Sequence, residues 1–428
     1  MPPAALTRRP ALPLLVVKIL VANLGSTSFK YRLFTVDGEQ ARLVAKGGSE
    51  RVTDYGAAID QALRDLAAAG HLCSANDLDG VGFKTVFGGE LTGCVLADES
   101  VEQALRTTAD LAPAHNPPYA EGLRVFRERL PSVPRIALFE TAFYQWVPDH
   151  ALRYAVPESW YRAGIRRYGF HGASHKYIAE RSAELLDRHD IAGVVRTLYL
   201  RGPHPAASHG EAGPGSPPPA TANRPLRVIS CHLGGSSSVT AIADGIAVGT
   251  SMGLSPQSGL PQNNRVGDLD SAAFPCAMRR LGLTVAEAEK QLTKESGLLG
   301  LSGVSNDLRD IKAAAAAGNA RAQLAIDTFV HSIRHWIGAF WVQLGGCDAL
   351  VFTAGIGENN PWLREAVCAG LDELGLGLDP RLNATGAAET NLGTRSSRTR
   401  ILVIPTNEEL VIARETARLL AAQRTAVR

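Results

Sequence analysis

One strand-turn-strand unit is written twice in this chain. The first copy reads Lys18-Ile-Leu-Val-Ala-Asn23-Leu-Gly25-Ser-Thr-Ser28-Phe-Lys30-Tyr. The second reads Arg227-Val-Ile-Ser-Cys-His232-Leu-Gly234-Gly235-Ser-Ser-Ser238-Val-Thr-Ala-Ile. Each has an apolar β-rich run, a polar residue, Leu-Gly, a cluster of small hydroxyl residues and a second strand. Such a turn makes a hairpin whose free N–H groups and hydroxyls can face an anion. One copy is an ordinary hairpin. Two copies, one at the head of each half, predict a duplicated domain with a phosphate held in the cleft between the halves.

The rest of the chain is read against that duplication. A length of 428 residues, 45% of them hydrophobic, buries a large core and predicts two or three domains. The 44 basic and 42 acidic residues nearly cancel, which argues against a nucleic-acid or membrane-surface partner. The six cysteines form no Cys-x-x-Cys pair, arguing against disulfide and zinc frameworks and for a reducing cytoplasm. No segment is apolar for long enough to span a bilayer. Residues 1–17 are expected to be a disordered extension. The Pro/Gly/Ser/Ala-rich stretch 201–224 is expected to be a flexible surface insertion, its His204 and His209 inert.

Strand signals fall at 19–22, 31–36, 135–139, 227–233, 238–243, 349–353 and 399–404. Helix-period patterns fall at 55–69, 119–130, 174–187, 270–281, 285–293, 321–344, 361–374 and 407–422. Asp244-Gly245 signals a tight turn joining two short strands. The mixture predicts α/β halves with mixed sheets.

Four further segments carry residues suited to chemistry. Leu350-Val-Phe-Thr-Ala-Gly355-Ile356-Gly357-Glu-Asn359-Asn-Pro361 reads as a buried strand, a glycine turn and a helix start. Tyr168-Gly-Phe170-His171-Gly-Ala-Ser174-His175 sets two histidines beside a helix N-terminus. Both can donate to an anion, whereas Gly172 between them argues against a helical zinc pair. The loops 261–268 and 302–310 carry Arg265, Asp307 and Arg309. Their guanidiniums can grip a phosphate or carboxylate, and Asp307 also suits a helix N-cap. Glu408 and Glu409 open the final helix, where they suit the helix dipole and where Glu408 can equally hold Mg²⁺.

Taken in order, Asn23-Leu-Gly-Ser-Thr-Ser-Phe-Lys-Tyr, Leu111-Ala-Pro-Ala-His-Asn-Pro-Pro118, Tyr168-Gly-Phe-His-Gly-Ala-Ser-His-Lys176, Ser296-Gly-Leu-Leu-Gly-Leu-Ser-Gly-Val-Ser-Asn-Asp-Leu-Arg309, Phe352-Thr-Ala-Gly-Ile-Gly-Glu-Asn359 and Ile404-Pro-Thr-Asn-Glu-Glu409 resemble the acetate kinase family. The resemblance runs from about residue 18 to the last helix. It implies the duplicated actin-like ATPase (ribonuclease H-like) fold, with two domains around a nucleotide cleft. Residues 18–143 plus 409–428 would form the acyl/phosphate domain and 144–408 the nucleotide domain. It implies reversible formation of acyl phosphate and ADP from ATP and a short carboxylate, with Mg²⁺ (or Mn²⁺), in a homodimer. It places Asn23 and Glu408 at the metal, and Arg265, His171, Lys84 and Glu140 in catalysis. Lys84, Val86, Ala114, Phe170 and Pro256 fall on the acyl site. His232, Gly234, Gly235, Ser236, Asp307, Leu308, Arg309, Gly355, Ile356, Gly357 and Asn359 fall on the nucleotide site.

Departures from the family pattern gather at this site. Phe83, Lys84 and Phe87 stand where His, Arg and His are usual, so the charge is kept but the planar fork is lost. Glu140 replaces Asp, Ala114 replaces a pocket leucine, Gly234-Gly235-Ser236 replaces Gly-Asn-Gly, and Asn263-Asn264 replaces Gly-Thr. The smaller Ala114 predicts room for propionate, unless Phe83 or Phe87 leans inward. A kinase for propionate, butyrate or another short acid, and a weakly active nucleotide sensor, stay open as alternatives to acetate.

Overall fold

The computed structural model describes residues 16–113, 115–201 and 224–426. Ala114, nearly all of the expected extension and insertion, and residues 427–428 lie outside them. Val17, assigned to the extension from sequence, is instead the first residue of a strand and pairs with Val36.

The first sheet contains β1 (Val17–Gly25), β2 (Ser28–Asp37), β3 (Gln40–Glu50), β4 (Gly80–Thr85), β5 (Cys94–Leu96) and β6 (Arg135–Phe139), in the order β3-β2-β1-β4-β6-β5. The second contains β7 (Arg227–Leu233), β8 (Ser237–Ala243), β9 (Ile246–Thr250), β10 (Ala349–Thr353) and β11 (Arg400–Val403), in the order β11-β10-β7-β8-β9. The runs β3-β2-β1-β4-β6 and β9-β8-β7-β10-β11 share one topology. Each is a three-strand antiparallel meander whose first strand is followed, on its other side, by two parallel strands. The duplication expected from the two hairpins is therefore the plan of the fold.

β1 is central and covered on both faces, so it reads as a continuous apolar run. Ile19 and Val21 enter a core with Val228, Val351 and Ile412, which draws on both sheets. Leu20 and Ala22 enter a second core with Phe83 and Phe126. The final helix, Glu408–Ala426, lies across β1 and β4 of the first sheet. Two glycines of β4 make that contact close. A Cβ on Gly80 would sit 2.8 Å from Leu420 Cδ1, and one on Gly82 2.5 Å from Thr416 Oγ1.

The helix Ala320–Leu344 starts at an Asn319 cap, which accepts from the N–H groups of Arg321 and Ala322, and ends at Gly345 in the left-handed conformation. Its face Ala322, Ala325, Ile326, Phe329, Ile333, Ile337 and Phe340 is buried over β7 and β8. Asp307 caps the helix Leu308–Ala316 through the Arg309 N–H, as its sequence position suggests. Among the described residues no helix is long and apolar enough to cross a membrane.

Candidate active site

Strand alternation decides what β4 offers. Val81 and Phe83 point into the apolar core, where Phe83 meets Phe126 edge-on at 5.1 Å. Gly80, Gly82 and Lys84 lie on the opposite face, under the final helix. Lys84 therefore reaches the first turn of that helix, and its Nζ donates to Glu408 Oε2 at 2.7 Å. Glu140, directly after β6, places Oε1 3.3 Å from the same ammonium. Burial works to lower the Lys84 pKa, but Glu408 and Glu140 outweigh it and hold the ammonium well above the usual lysine value. Burial raises the Glu140 carboxyl despite Lys84, and Glu408 is held below the usual range by Lys84 and His232, which overcome its own burial.

Opposite this group stand three imidazoles. His171 caps the helix Gly172–Leu185 from a left-handed conformation, φ 61°. The Gly172 N–H donates to the Glu140 carbonyl at 2.9 Å, an approach too close for any side chain at 172. The His171 ring stacks on His232 with centroids 4.1 Å apart. Serines hold the set: His171 Nδ1 and His175 Nε2 each lie 2.8 Å from Ser238 Oγ, His175 Nδ1 lies 2.8 Å from Ser230 Oγ, and His232 Nδ1 lies 2.8 Å from Ser174 Oγ. One hydroxyl proton cannot serve both rings at Ser238, so at least one ring nitrogen donates there. Burial first, then the neighbouring imidazoles and, for His171, also Lys84 and Arg265, push His171 and His175 well below the ordinary histidine range, and burial takes His232 down to about 4. All three are neutral at pH 7. His175, fully buried with both nitrogens engaged, is a support for the other two, not a metal ligand.

Arg265 closes the site from the second half. Its Nη1 donates to Ser236 Oγ at 3.2 Å and to the Pro256 carbonyl and Gln262 Oε1 at 3.3 Å each. Gln262 also donates to the Pro256 carbonyl at 2.7 Å and accepts from Ser236 at 2.7 Å. Pro256 thus acts through its carbonyl, and Ser236 ties the β7–β8 turn to the guanidinium. Burial lowers the Arg265 pKa without removing its charge at any ordinary pH.

The donors for a hard cation are here. Asn23 Oδ1 is buried with no hydrogen-bond partner among the described residues, and so are both Glu140 carboxylate oxygens, which have the Lys84 ammonium and the Glu408 carboxylate near them. Orphaned buried oxygens of this kind suit Mg²⁺. Glu409 faces the other way, 3.3 Å from Arg32 and 3.5 Å from Asn23 Nδ2.

Beside these charges lies a small apolar cluster of Val86, Phe87, Ala112, Tyr168, Phe170 and Met252. Phe87 leans into it, its ring centroid 4.7 Å from that of Tyr168 and 6.0 Å from that of Phe170. Further along the cleft, β10 runs through Ala354, left-handed at φ 62°, straight into the helix Ala354–Asn359. A Cβ on Gly234 would meet Ala354 Cβ at 3.7 Å, so the phosphate hairpin and this turn adjoin. Arg364, buried, clamps the Gly357 and Glu358 carbonyls at 2.7 and 2.9 Å. A Cβ on Gly355 would meet nothing within 4 Å, which leaves an open face. Asp307, half-buried, and Arg309, exposed, are paired with each other at 2.5 Å. The side chain of Leu308 belongs to the core, so only its backbone is available to a ligand.

The acetokinase family model matches residues 44–198 and 220–414. An acetate kinase of Shouchella clausii is 37% identical, over 94% of this chain and all of that one. The chain belongs to the acetokinase family. It is a phosphotransferase with a carboxyl group as acceptor, working with ATP or ADP. Among solved structures, the Porphyromonas gingivalis acetate kinase aligns at a TM-score of 0.77 with 31% identity, covering 94% of this chain and 100% of that one. A propionate kinase from Francisella tularensis aligns at 0.76, also with 31% identity, covering 94% and 99%. Both families of acid are thus represented among relatives of equal similarity.

Several members of this acetokinase-family site carry no distinct signal in the sequence. His115 stands at the N-cap position of the helix Asn116–Arg129, and its pKa is lowered by burial and then by Arg265 and Lys84. Gln262 and Ser174 are polar residues whose importance comes only from their partners.

Proposed function

We propose that the protein phosphorylates acetate with MgATP by direct transfer. The observation that supports this is the convergence, in one cleft between the repeats, of Arg265, neutral His171, Lys84 and the unsatisfied oxygens of Asn23 and Glu140. Phosphoryl transfer needs positioned charge more than covalent chemistry. In this reading Asn23, Glu140 and Glu408 hold Mg²⁺, which neutralises charge on the phosphates. Arg265 stabilises charge on the transferring group. When Ser238 donates to His171 Nδ1, Nε2 keeps a proton for a phosphoryl oxygen. The backbone around Gly234, Gly235 and Ser236 faces the phosphates, and Asp307, Arg309, Gly355, Ile356 and Asn359 border the nucleoside.

The acyl preference turns on Phe87. This ring leans in beside Phe170 and Met252, which favours a methyl over an ethyl group. We also carry forward the division at 18–143 plus 409–428 and 144–408, a homodimer, and a cytoplasmic location, as expected for this family.

The test is a hydroxamate trap for acyl phosphate with ATP, Mg²⁺ and a panel of short acids. Acetate should exceed propionate in kcat/KM by roughly tenfold, the usual discrimination for one methylene. Propionate matching acetate would reject the pocket. ATP binding without acyl hydroxamate from any acid would leave the sensor reading.

A further inference from the structure

Lys84 does not stand free to meet a substrate carboxylate. Its ammonium lies 2.7 Å from Glu408 and 3.3 Å from Glu140. The two acids come from distant points of the chain, the end of β6 and the start of the final helix. Lys84 is placed between them by β4, whose glycines let that helix settle on the strand. The side chains of Glu140 and Glu408 are 4% and 17% exposed. A pair of carboxylates so poorly hydrated needs a cation close by.

We infer that Lys84 is a resident counter-cation for the metal carboxylates, and that it makes divalent-cation binding to the free protein weak. This rests on the reading that Glu140 and Glu408 face Mg²⁺. With Lys84 in place, one charge already offsets the two acids, and a divalent ion must approach a fixed ammonium within a few ångströms. A metal arriving on a nucleotide brings phosphate charge with it, so that repulsion is shared. Lys84 then yields Glu408 and is left on the side of the cleft where His115 and His171 lie within reach of its charge. An arginine can hold both acids at once through its fork, whereas the point charge of lysine is released more easily. Lys84 is thus a specificity-determining residue for the form in which metal enters.

The test measures Mn²⁺ binding to the nucleotide-free protein by calorimetry, with no acid present. Lys84→Met should bind Mn²⁺ at least about tenfold more tightly than wild type, while Lys84→Arg should stay as weak as wild type. The Mn²⁺-induced rise in melting temperature should be larger in Lys84→Met as well. Should Lys84→Met fail to fold, Lys84→Gln, which keeps a donor but no charge, carries the same expectation. Equal or weaker Mn²⁺ binding in the uncharged variant overturns the inference. The hydroxamate assay on wild type is separate, so loss of the proposed function and loss of this inference can be told apart.

Discussion

Two residues before the turn glycine stands Asn23 on β1 and His232 on β7. The backbones around them match, yet the side chains are used in opposite ways. At the first turn, the Tyr55 hydroxyl donates to the Gly25 carbonyl, and Asn23 Oδ1 is left buried without a hydrogen-bond partner among the described residues. At the second, His232 is stacked on His171 and bonded to Ser174, Ser174 Oγ is met by Thr406 at 2.9 Å, and Ser236 joins Gln262 and Arg265. The first hairpin keeps a buried acceptor, which the proposed function assigns to a cation. The second spends its polar groups on one another and so fixes a wall of neutral imidazoles and one guanidinium. In the proposed reading, divergence made one of the two turns a metal edge and the other a rigid phosphoryl edge.

The largest effect should come from the rigid edge. Arg265→Ala should lower kcat by about a hundredfold or more while leaving nucleotide affinity mostly intact, as expected for a charge whose value appears in the transition state. Gln262 keeps its bonds to Ser236 and the Pro256 carbonyl, so the turn should hold its shape. Normal kcat with weakened ATP binding would assign Arg265 to the ground state and undo the division between the two turns.

A second consequence concerns acid stability. His175 is buried with its pKa depressed, so the unfolded chain takes up a proton near pH 6.5 that the folded protein refuses. Its contribution is complete above that pH and is lost as pH falls toward the folded value. Each unit below 6.5 costs up to about 1.4 kcal/mol per such histidine, and His171 and His232 act in the same direction. Urea midpoints at pH 7.5 and 5.5 measure the sum. His175→Gln should be less stable at pH 7.5 yet show a smaller loss between the two pH values. An unchanged loss would mean that the imidazole wall does not set the acid limit.

The contrast between the turns also marks what a sequence shows. The hairpins were legible because apolar runs, glycine and hydroxyl residues are local signals. β4 was not, because Gly80 and Gly82 break its apolar pattern to admit a helix more than 300 residues away. β3 is a mostly exposed edge strand with little to distinguish it from a loop. Arg265, His171 and Lys84 are visible as residues. That Lys84 is engaged by Glu408, that Phe83 turns to the core while Phe87 turns to the cluster with Phe170 and Met252, and that His175 is fully consumed by serines all depend on tertiary partners.

The smallest effect should come from the open edge, and it is the sharpest test of the comparison. Asn23 makes one weak contact, Nδ2 to Glu409 at 3.5 Å, and its Oδ1 makes none among the described residues. Removing it therefore takes away almost no protein–protein bonding, so Asn23→Ala should leave the urea midpoint near that of wild type. If Oδ1 waits for a cation or its bound water, the same change should raise the Mg²⁺ concentration for half-maximal activity by about tenfold, the lower end of the usual range for groups that support a metal. Arg265→Ala should not move that concentration. The crossed pattern, metal requirement shifted at the first turn and kcat at the second, follows only if the two copies have divided the labour. A metal requirement unchanged in Asn23→Ala, with stability lost instead, would make the first turn a structural hairpin and leave the metal to the two carboxylates alone.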